Sequence, residues 1–379
     1  MLDLAAKAAF RATGHVEPNP LVGCVLVRPG EGPARERIIG IGHHRRFGGA
    51  HAEVEALRRC RELGNDPRGA TAYVTLEPCN GFGKNPPCVT ALVEAGIARV
   101  VCAARDDTEG KGSGGAALRA VEIPCEFTEV SQRATDLSAP WRHRVKTGRP
   151  WTIAKWAQTI DGRLATWFGD SKWISNRRSR LRVHRMRAAV DAVMVGSGTV
   201  MADDPQLSVR SVPLRRRAPE GGVRQPLRIV FGAKRLAVSG GYVVETAREQ
   251  PTLVVCEALP AGGLEAELRE AGVTVMTEPG HDRIDWFRRI FMRLYREHGV
   301  NTLLVEGGPT LLGSLFAVGL IDEAHVHTGP MFMGEQPIEM SLNAELIAAR
   351  ADAVQRLWKY RLVSVRRVEN DVQSVYRGF

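Results

Sequence analysis

Apolar residues in this chain fall into short, nearly continuous runs separated by polar stretches with helical spacing. VGCVLV (22–27), IIGIG (38–42), LRIVF (227–231), TLVVC (252–256) and TVMTE (274–278) read as strands. The opening MLDLAAKAAFRATG predicts an amphipathic first helix. HAEVEALRRC predicts a helix beginning at His51, with Val54, Leu57 and Arg58 at helical spacing, and TAYVTLEPC predicts a strand over 73–76. ALVEAGIARVVCAA reads as helix, glycine stop at Gly96, then strand. NTLLVEGGPTLLGSLF reads as strand, Glu306, two glycines and a helix from about Pro309. This alternation predicts α/β layers around a sheet. GKGSGGAALRAV reads as a flexible glycine-rich connection into a helix, and DAVMVGSGTV as a strand running into a loop.

Turn residues divide the chain. Pro18-Asn19-Pro20 closes the first helix, and a loop rich in Gly, Pro and charge follows over 29–37. After Gly148-Arg149-Pro150 a new strand starts, over 151–156. At 379 residues the chain exceeds one ordinary core. The expected division is residues 1–146 and 150–379.

Charge and composition narrow the function less than the pattern does. The formal net charge is +10, which raises the question of nucleic acid. The densest basic run, Arg177–Arg187, and Arg215-Arg216-Arg217 read mostly as solvated faces. No aromatic interleaving marks a base-stacking platform, and a small phosphorylated substrate accounts for part of the bias. Nucleic acid is therefore not expected as a partner. No run approaches the ~20 apolar residues of a membrane span, and the N-terminus lacks secretory character. Seven scattered cysteines suit a reducing compartment, so a cytoplasmic protein is expected.

The sharpest chemical signal is His51-Ala52-Glu53, followed by Pro78-Cys79 and Cys88. A neutral imidazole and two thiolates fill three tetrahedral positions of Zn²⁺ and leave the fourth for water, whose pKa falls toward ~7. Glu53, two residues past His51, is placed to move protons without ligating. H-x-E followed by P-C and a second Cys is the zinc deaminase signature, although here Cys79 and Cys88 stand nine positions apart. The bland alternative is two packing cysteines and a core histidine. Helix start facing strand end favours the site.

A second signal is a pair of strand-to-glycine turns, Gly307-Gly308-Pro309-Thr310 and VGSGTV (195–200). Missing Cβ atoms and a free helix N-terminus suit phosphate. Neither fits G-x-G-x-x-G, since Met201 stands at the third glycine. Together they point to a nucleotide site outside the Rossmann fold.

PNPLVGCVLV, HAEVEAL, YVTLEPC, NPPC, TIDGRLA, DSKWIS, VGSGTVMADDPQLSVR and VEGGPTL, in that order, resemble the bifunctional riboflavin-biosynthesis family. That family joins a diaminohydroxyphosphoribosylaminopyrimidine deaminase to a 5-amino-6-(5-phosphoribosylamino)uracil reductase. The resemblance implies an N-terminal cytidine-deaminase-like three-layer α/β/α domain and a C-terminal dihydrofolate-reductase-like α/β domain. It implies Zn²⁺ on His51, Cys79 and Cys88, with Glu53 as proton donor and acceptor and Asn19 and Lys84 against the pyrimidine. In the second half it implies NADPH at Ala157, Trp173, Thr199, Asp203, Gly308, Pro309, Thr310, Leu311, Leu312, Gly313 and Ser314. Ser171, Arg187, Leu207, Arg210 and Glu306 match substrate positions, and Lys155 and Asp203 are candidates for assisting hydride transfer. Arginine forks suit the substrate phosphate, which takes Arg187 and Arg210 out of the solvated set and leaves Arg177, Arg178 and Arg180 in it.

Two departures stand out. Asn80-Gly81-Phe82-Gly83-Lys84-Asn85-Pro86-Pro87 lacks the family's histidine and threonine, and Gly232-Ala233 replaces an expected Asp-Ser beside the cofactor. Competing readings are a zinc deaminase of another base, in tRNA or as a free aminopyrimidine, with a basic accessory domain, and a zinc-stabilised scaffold. A scaffold needs a fourth ligand, and its candidate, Cys60, lies at the far end of the metal helix. The resemblance also suggests a homo-oligomer, dimer or tetramer.

Overall fold

Cys24, Val25, Leu26 and Val27 are all buried, because the strand that carries them is covered on both faces. Cys24 and Leu26 join one apolar cluster, while Val25 and Val27 join another. The structure, a computed structural model, describes residues 1–28, 37–83, 85–108, 112–166, 168–210, 224–233, 241–259, 263–280, 282–334 and 359–378. It divides into two units, Met1–Gly148 and Arg149–Phe379. Gly148 ends the last helix of the first unit in the left-handed region, at φ 66°, where glycine carries no Cβ penalty.

The first unit runs α1 (Leu2–Ala9), β1 (Gly23–Arg28), β2 (Arg37–His43), α2 (Ala52–Glu62), β3 (Thr71–Val74), α3 (Cys88–Glu94), β4 (Arg99–Cys102), α4 (Gly114–Ala120), β5 (Cys125–Phe127), α5 (Gln132–Leu137) and α6 (Ala139–Thr147). The sheet order is β2-β1-β3-β4-β5. β2, β1 and β3 pair antiparallel; β3, β4 and β5 pair parallel. Helices α2, α3 and α4 share one cluster with Cys24, Val74 and Val100. On the other face α1 and α5 pack with Val101 and Ala103. This is the three-layer α/β/α sandwich of a cytidine-deaminase-like domain. The third strand sits two residues earlier than the expected 73–76, so Thr75 to Cys79 form the loop that leaves it.

The second unit continues with β6 (Trp151–Gln158), α7 (Arg177–Arg187), β7 (Ala192–Gly196), α8 (Ser197–Asp203), β8 (Leu227–Phe231), α9 (Tyr242–Glu245), β9 (Thr252–Cys256), α10 (Leu264–Glu270), β10 (Thr274–Thr277), α11 (Arg283–Arg296), β11 (Thr302–Val305), α12 (Pro309–Ala317), β12 (Glu323–Thr328), β13 (Tyr360–Val368) and β14 (Asp371–Gly378). Its sheet order is β10-β9-β8-β7-β11-β6-β12-β14-β13. All pairs from β10 to β12 are parallel, and β14 and β13 add an antiparallel edge. Met194, Leu303 and Val305 point to the α11 and α12 side, while Val193, Val195 and Leu304 face the other cluster. Burial on both faces explains why these strands read as continuous apolar runs. VGSGTV differs from expectation: the strand passes straight into α8 at Ser197, with no loop.

Candidate active sites

His51 is the N-cap of α2, in extended conformation at φ −72° and ψ 165°, so its ring leaves the helix axis toward the loop after β3. Cys79 lies on that loop, and Cys88 is the first residue of α3. His51 Nδ1 lies 3.2 Å from Cys88 Sγ and 3.4 Å from Cys79 Sγ. The three donor atoms fall within 4.8 Å of one another. Tetrahedral Zn²⁺ with ordinary bond lengths asks for an N···S separation of about 3.6 Å, so the donor set fits zinc. The Cys79 and Cys88 thiols share a hydrogen bond. That bond brings Cys79 down to about 4 and, with burial, pushes Cys88 up. A cation bound here replaces that shared proton.

Glu53 is 3% exposed on the first turn of α2. Burial lifts its carboxyl to about 7, against the pull of His51. A carboxyl near neutrality can both accept and return a proton. Cys60 keeps to the far end of α2, with Asn65 O as its partner at 3.5 Å, so among the described residues three protein donors are found together. That open arrangement is catalytic in kind.

The structure adds a residue that the sequence analysis did not assign. His44, 3% exposed, places Nδ1 2.9 Å from Ala50 O and Nε2 3.1 Å from Asn19 Nδ2. Burial holds its ring below the usual imidazole value. A neutral ring donating from Nδ1 must accept at Nε2, so Asn19 donates to it. Its ring also stands edge-on to His51, 5.6 Å between centroids. The one available signal was its place just after the IIGIG strand. Asn85, in the altered loop, donates to Gly49 O at 2.9 Å and so ties that loop toward the approach to His51. Lys84 lies outside the described residues.

In the second unit the candidates gather where parallel strands β7, β11 and β6 end, the usual crevice of open α/β sheets. Lys155 is on β6, and burial lowers its ammonium against the pull of Glu306. Glu306 follows β11 and meets Arg187 of α7: Nε to Oε1 at 2.6 Å and Nη2 to Oε2 at 3.0 Å. Arg187 Nη1 donates to Ser208 O at 3.1 Å. Its fork, expected to face a substrate phosphate, is thus engaged by a carboxylate of the same site. Ala157 is two residues beyond Lys155 on the same strand face.

Thr199 Oγ1 accepts from Gly308 N at 3.2 Å, which joins the two glycine turns. A Cβ on Gly198 would meet nothing within 4 Å. Gly308 makes no side-chain cap and Pro309 opens α12, so first-turn N–H groups are left for an anion. This cradle fits a dinucleotide phosphate. Of the residues that follow, Leu311, Leu312, Gly313 and Ser314 are buried, with Ser314 Oγ returned to Thr310 O at 2.8 Å. Leu311 and Leu312 therefore serve the core, and the first turn is the part that can meet a ligand.

Other candidates lie outward. Ser171 is exposed, and Trp173 is 63% exposed with the Arg180 guanidinium 4.3 Å over its ring. That contact takes Arg180 out of the plain solvated face. Asp203 closes α8 and pairs with Lys172 Nζ at 3.5 Å; the charges acting on Lys155 are Glu306 and Arg187. Leu207 is buried, at φ +53°. Arg210 is exposed and hydrogen-bonds Gln206, and its N–H donates to His184 Nδ1 at 3.3 Å. Gly232 adopts φ +87°, with Ser197 Oγ 3.2 Å from where a Cβ would stand, and Ala233 is buried.

Residues 1–104 match the family model of the cytidine and deoxycytidylate deaminase zinc-binding region, and residues 150–374 match that of the RibD C-terminal domain. The riboflavin biosynthesis protein RibD of Aquifex aeolicus is 37% identical over 88% of this chain and 87% of its own length. That of Escherichia coli is 35% identical over 87% of each. Among solved structures, Acinetobacter baumannii RibD aligns with a TM-score of 0.76 at 31% identity, covering 100% of this chain and 98% of its own. A diaminohydroxyphosphoribosylaminopyrimidine deaminase/5-amino-6-(5-phosphoribosylamino)uracil reductase of Thermotoga maritima aligns with a TM-score of 0.76 at 30% identity, covering 100% and 97%. With both halves matched in this order along one chain, the protein belongs to the RibD family of bifunctional deaminase-reductases of riboflavin biosynthesis.

Proposed function

We infer that the chain performs two successive steps on one phosphorylated pyrimidine. The first unit deaminates 2,5-diamino-6-ribosylamino-4(3H)-pyrimidinone 5′-phosphate. The second reduces its ribosyl group with NADPH, giving 5-amino-6-(5-phosphoribitylamino)uracil. The observation that carries this reading is the convergence of His51, Cys79 and Cys88 beside buried Glu53, in a chain whose other half matches the RibD reductase model.

His51, Cys79 and Cys88 would hold zinc, which supplies Lewis-acid activation of a water. Glu53 takes a proton from that water at its carboxylate and returns one to the departing amine nitrogen. Asn19 and His44 present an ordered polar pair to the pyrimidine, and Lys84 supplies a positive charge. NADPH, when bound, supplies the hydride. Thr199, Gly308 and the first turn of α12 hold its phosphates, with Trp173, Ala157 and Asp203 along the same cofactor path. Lys155 gives a proton to the ribose ring oxygen as the C1–O bond opens. Glu306 and Arg187 hold the sugar and fix the charge around Lys155, while Ser171, Arg210 and the Leu207 backbone meet the phosphate end.

Among the described residues no helix is long and apolar enough to cross a membrane. We assign the enzyme to the cytoplasm, as a homo-oligomer without nucleic-acid partners. A deaminase of tRNA bases is the weaker reading, because a RibD reductase domain stands where an RNA-binding module would be needed.

Ammonia release from the diaminopyrimidine ribosyl phosphate tests the assignment, run with and without NADPH and followed at 340 nm on a metal-analysed sample. About one zinc per chain, ammonia without NADPH, and NADPH oxidation only after deamination are expected. Bound zinc without ammonia would refute the substrate. Ammonia without NADPH oxidation would refute the reductase half and point to Gly232-Ala233.

A further inference from the structure

Just ahead of Cys79 the chain buries a carboxylate that neither reaction uses. Glu77 is 6% exposed, and each of its oxygens accepts a backbone N–H. Gly115 donates to Oε1 at 2.8 Å and Asp106 donates to Oε2 at 3.1 Å. The N–H of Glu77 itself donates to Ala104 O at 2.9 Å. Ala104 and Asp106 lie just past β4 and Gly115 lies in the first turn of α4, so the chain returns to Glu77 there.

Two glycines make that return possible. A Cβ on Gly114 would stand 1.8 Å from the carbonyl oxygen of Pro78. One on Gly115 would stand 3.1 Å from Glu77 Oε1 and 3.2 Å from Cys125 Sγ. The first distance is impossible without moving the backbone that immediately precedes Cys79. The glycine-rich stretch, expected as a flexible connection, is an abutment against the metal-ligand loop. Gly114 meets that loop at Pro78 and Gly115 meets it at Glu77.

We propose that Glu77 is a positioning residue for the metal site. By pinning the backbone at Asp106 and Gly115 it sets the Pro78-Cys79 step, and so places the Cys79 thiolate where His51 and Cys88 require it. A carboxylate suits the task because it offers only acceptors to two converging donors; an amide would turn an NH₂ toward one of them. Charge-assisted bonds of this kind are short and directional, and Pro78 transmits the constraint through its fixed φ. On the far side Cys79 is held by Val89 N to Cys79 O at 3.3 Å and by Cys88 N to its Sγ at 3.4 Å. The loop is gripped from both ends. The proposal rests on the zinc assignment above.

The test compares Glu77→Gln, Gly114→Ala and Leu118→Ala in the full-length chain. Leu118 is fully buried on the same helix and packs into the apolar cluster behind it, so its truncation controls for loosening of α4. Zinc release to a chromophoric chelator is timed, and the cobalt-substituted proteins are examined for thiolate-to-cobalt charge transfer and for the d–d bands. Glu77→Gln and Gly114→Ala should release zinc about ten- to a hundredfold faster, the usual scale for groups behind a metal ligand, with altered d–d bands. Leu118→Ala should lower the melting temperature with wild-type release and spectrum. Wild-type release and bands in both site variants would overturn the proposal, as would equal acceleration in Leu118→Ala. A wild-type protein without any charge-transfer band would instead sink the zinc assignment itself, and the positioning role with it.

Discussion

Arg187 grips Glu306 through two parallel contacts, 2.6 and 3.0 Å long, with both side chains about nine-tenths buried. Breaking a buried pair from one side strands the other charge, at a cost of about 3–5 kcal/mol. Arg187→Met should therefore lower the melting temperature of the second unit and abolish NADPH oxidation. Ammonia release, made in the other unit, should stay within twofold of wild type. A variant that keeps full reductase activity would remove the pair from the site.

Lys155 sits beside that pair as a cation whose pKa burial has lowered. Desolvated charges at active sites are often retained at the expense of stability. Lys155→Met should hold or raise the melting temperature while NADPH oxidation falls about 100-fold or more, the span of general acid–base assistance. A stable variant with undiminished turnover would assign the proton to another group.

Glu53→Gln removes the proton carrier and leaves the three donors. Ammonia release should drop by about 10²–10⁴-fold, with zinc content unchanged by metal analysis. Reduction of the separately supplied deaminated substrate should proceed normally. Loss of zinc in this variant would instead make Glu53 a structural support of the metal cluster.

Glu323 on β12 gives a pH-dependent stability. Burial alone would raise its carboxyl, but the hydrogen bond from His325 and the nearby Arg377 guanidinium hold it at about 2. A depressed carboxyl stabilises the fold above the unfolded value of about 4.3, and that contribution fades as pH falls toward 2. The shift corresponds to about 3 kcal/mol. The gap in urea midpoint between wild type and Glu323→Gln should be constant from pH 7 to 5 and shrink steadily below 4.5. An undiminished gap at pH 3, where about half of the contribution should be gone, would contradict the assignment.

The candidate metal ligands were legible in the chain because few residue types can bind zinc, and their places at a helix start and past a strand end favoured their meeting. Histidine before a helix and cysteine after a strand are local facts. Continuous runs such as LRIVF and TLVVC likewise showed the strands, since cover on both faces leaves no polar alternation. The family motifs carried the reductase residues as positions in a pattern, without their contacts.

Contacts between residues far apart in the chain were decided elsewhere. Asn19 finds His44 across 25 positions and Arg187 finds Glu306 across 119; no local pattern specifies either. An isolated arginine offers its fork to any anion, and only the fold sets Glu306 against that of Arg187. Gly114 and Gly115 read as freedom in the sequence and act as close contact in the fold, because a missing side chain permits either. By itself the sequence determined which atoms could do the chemistry. Tertiary structure decided which of them are buried, which are already paired, and which meet, since desolvation and hydrogen bonding depend on neighbours that the order of residues does not name.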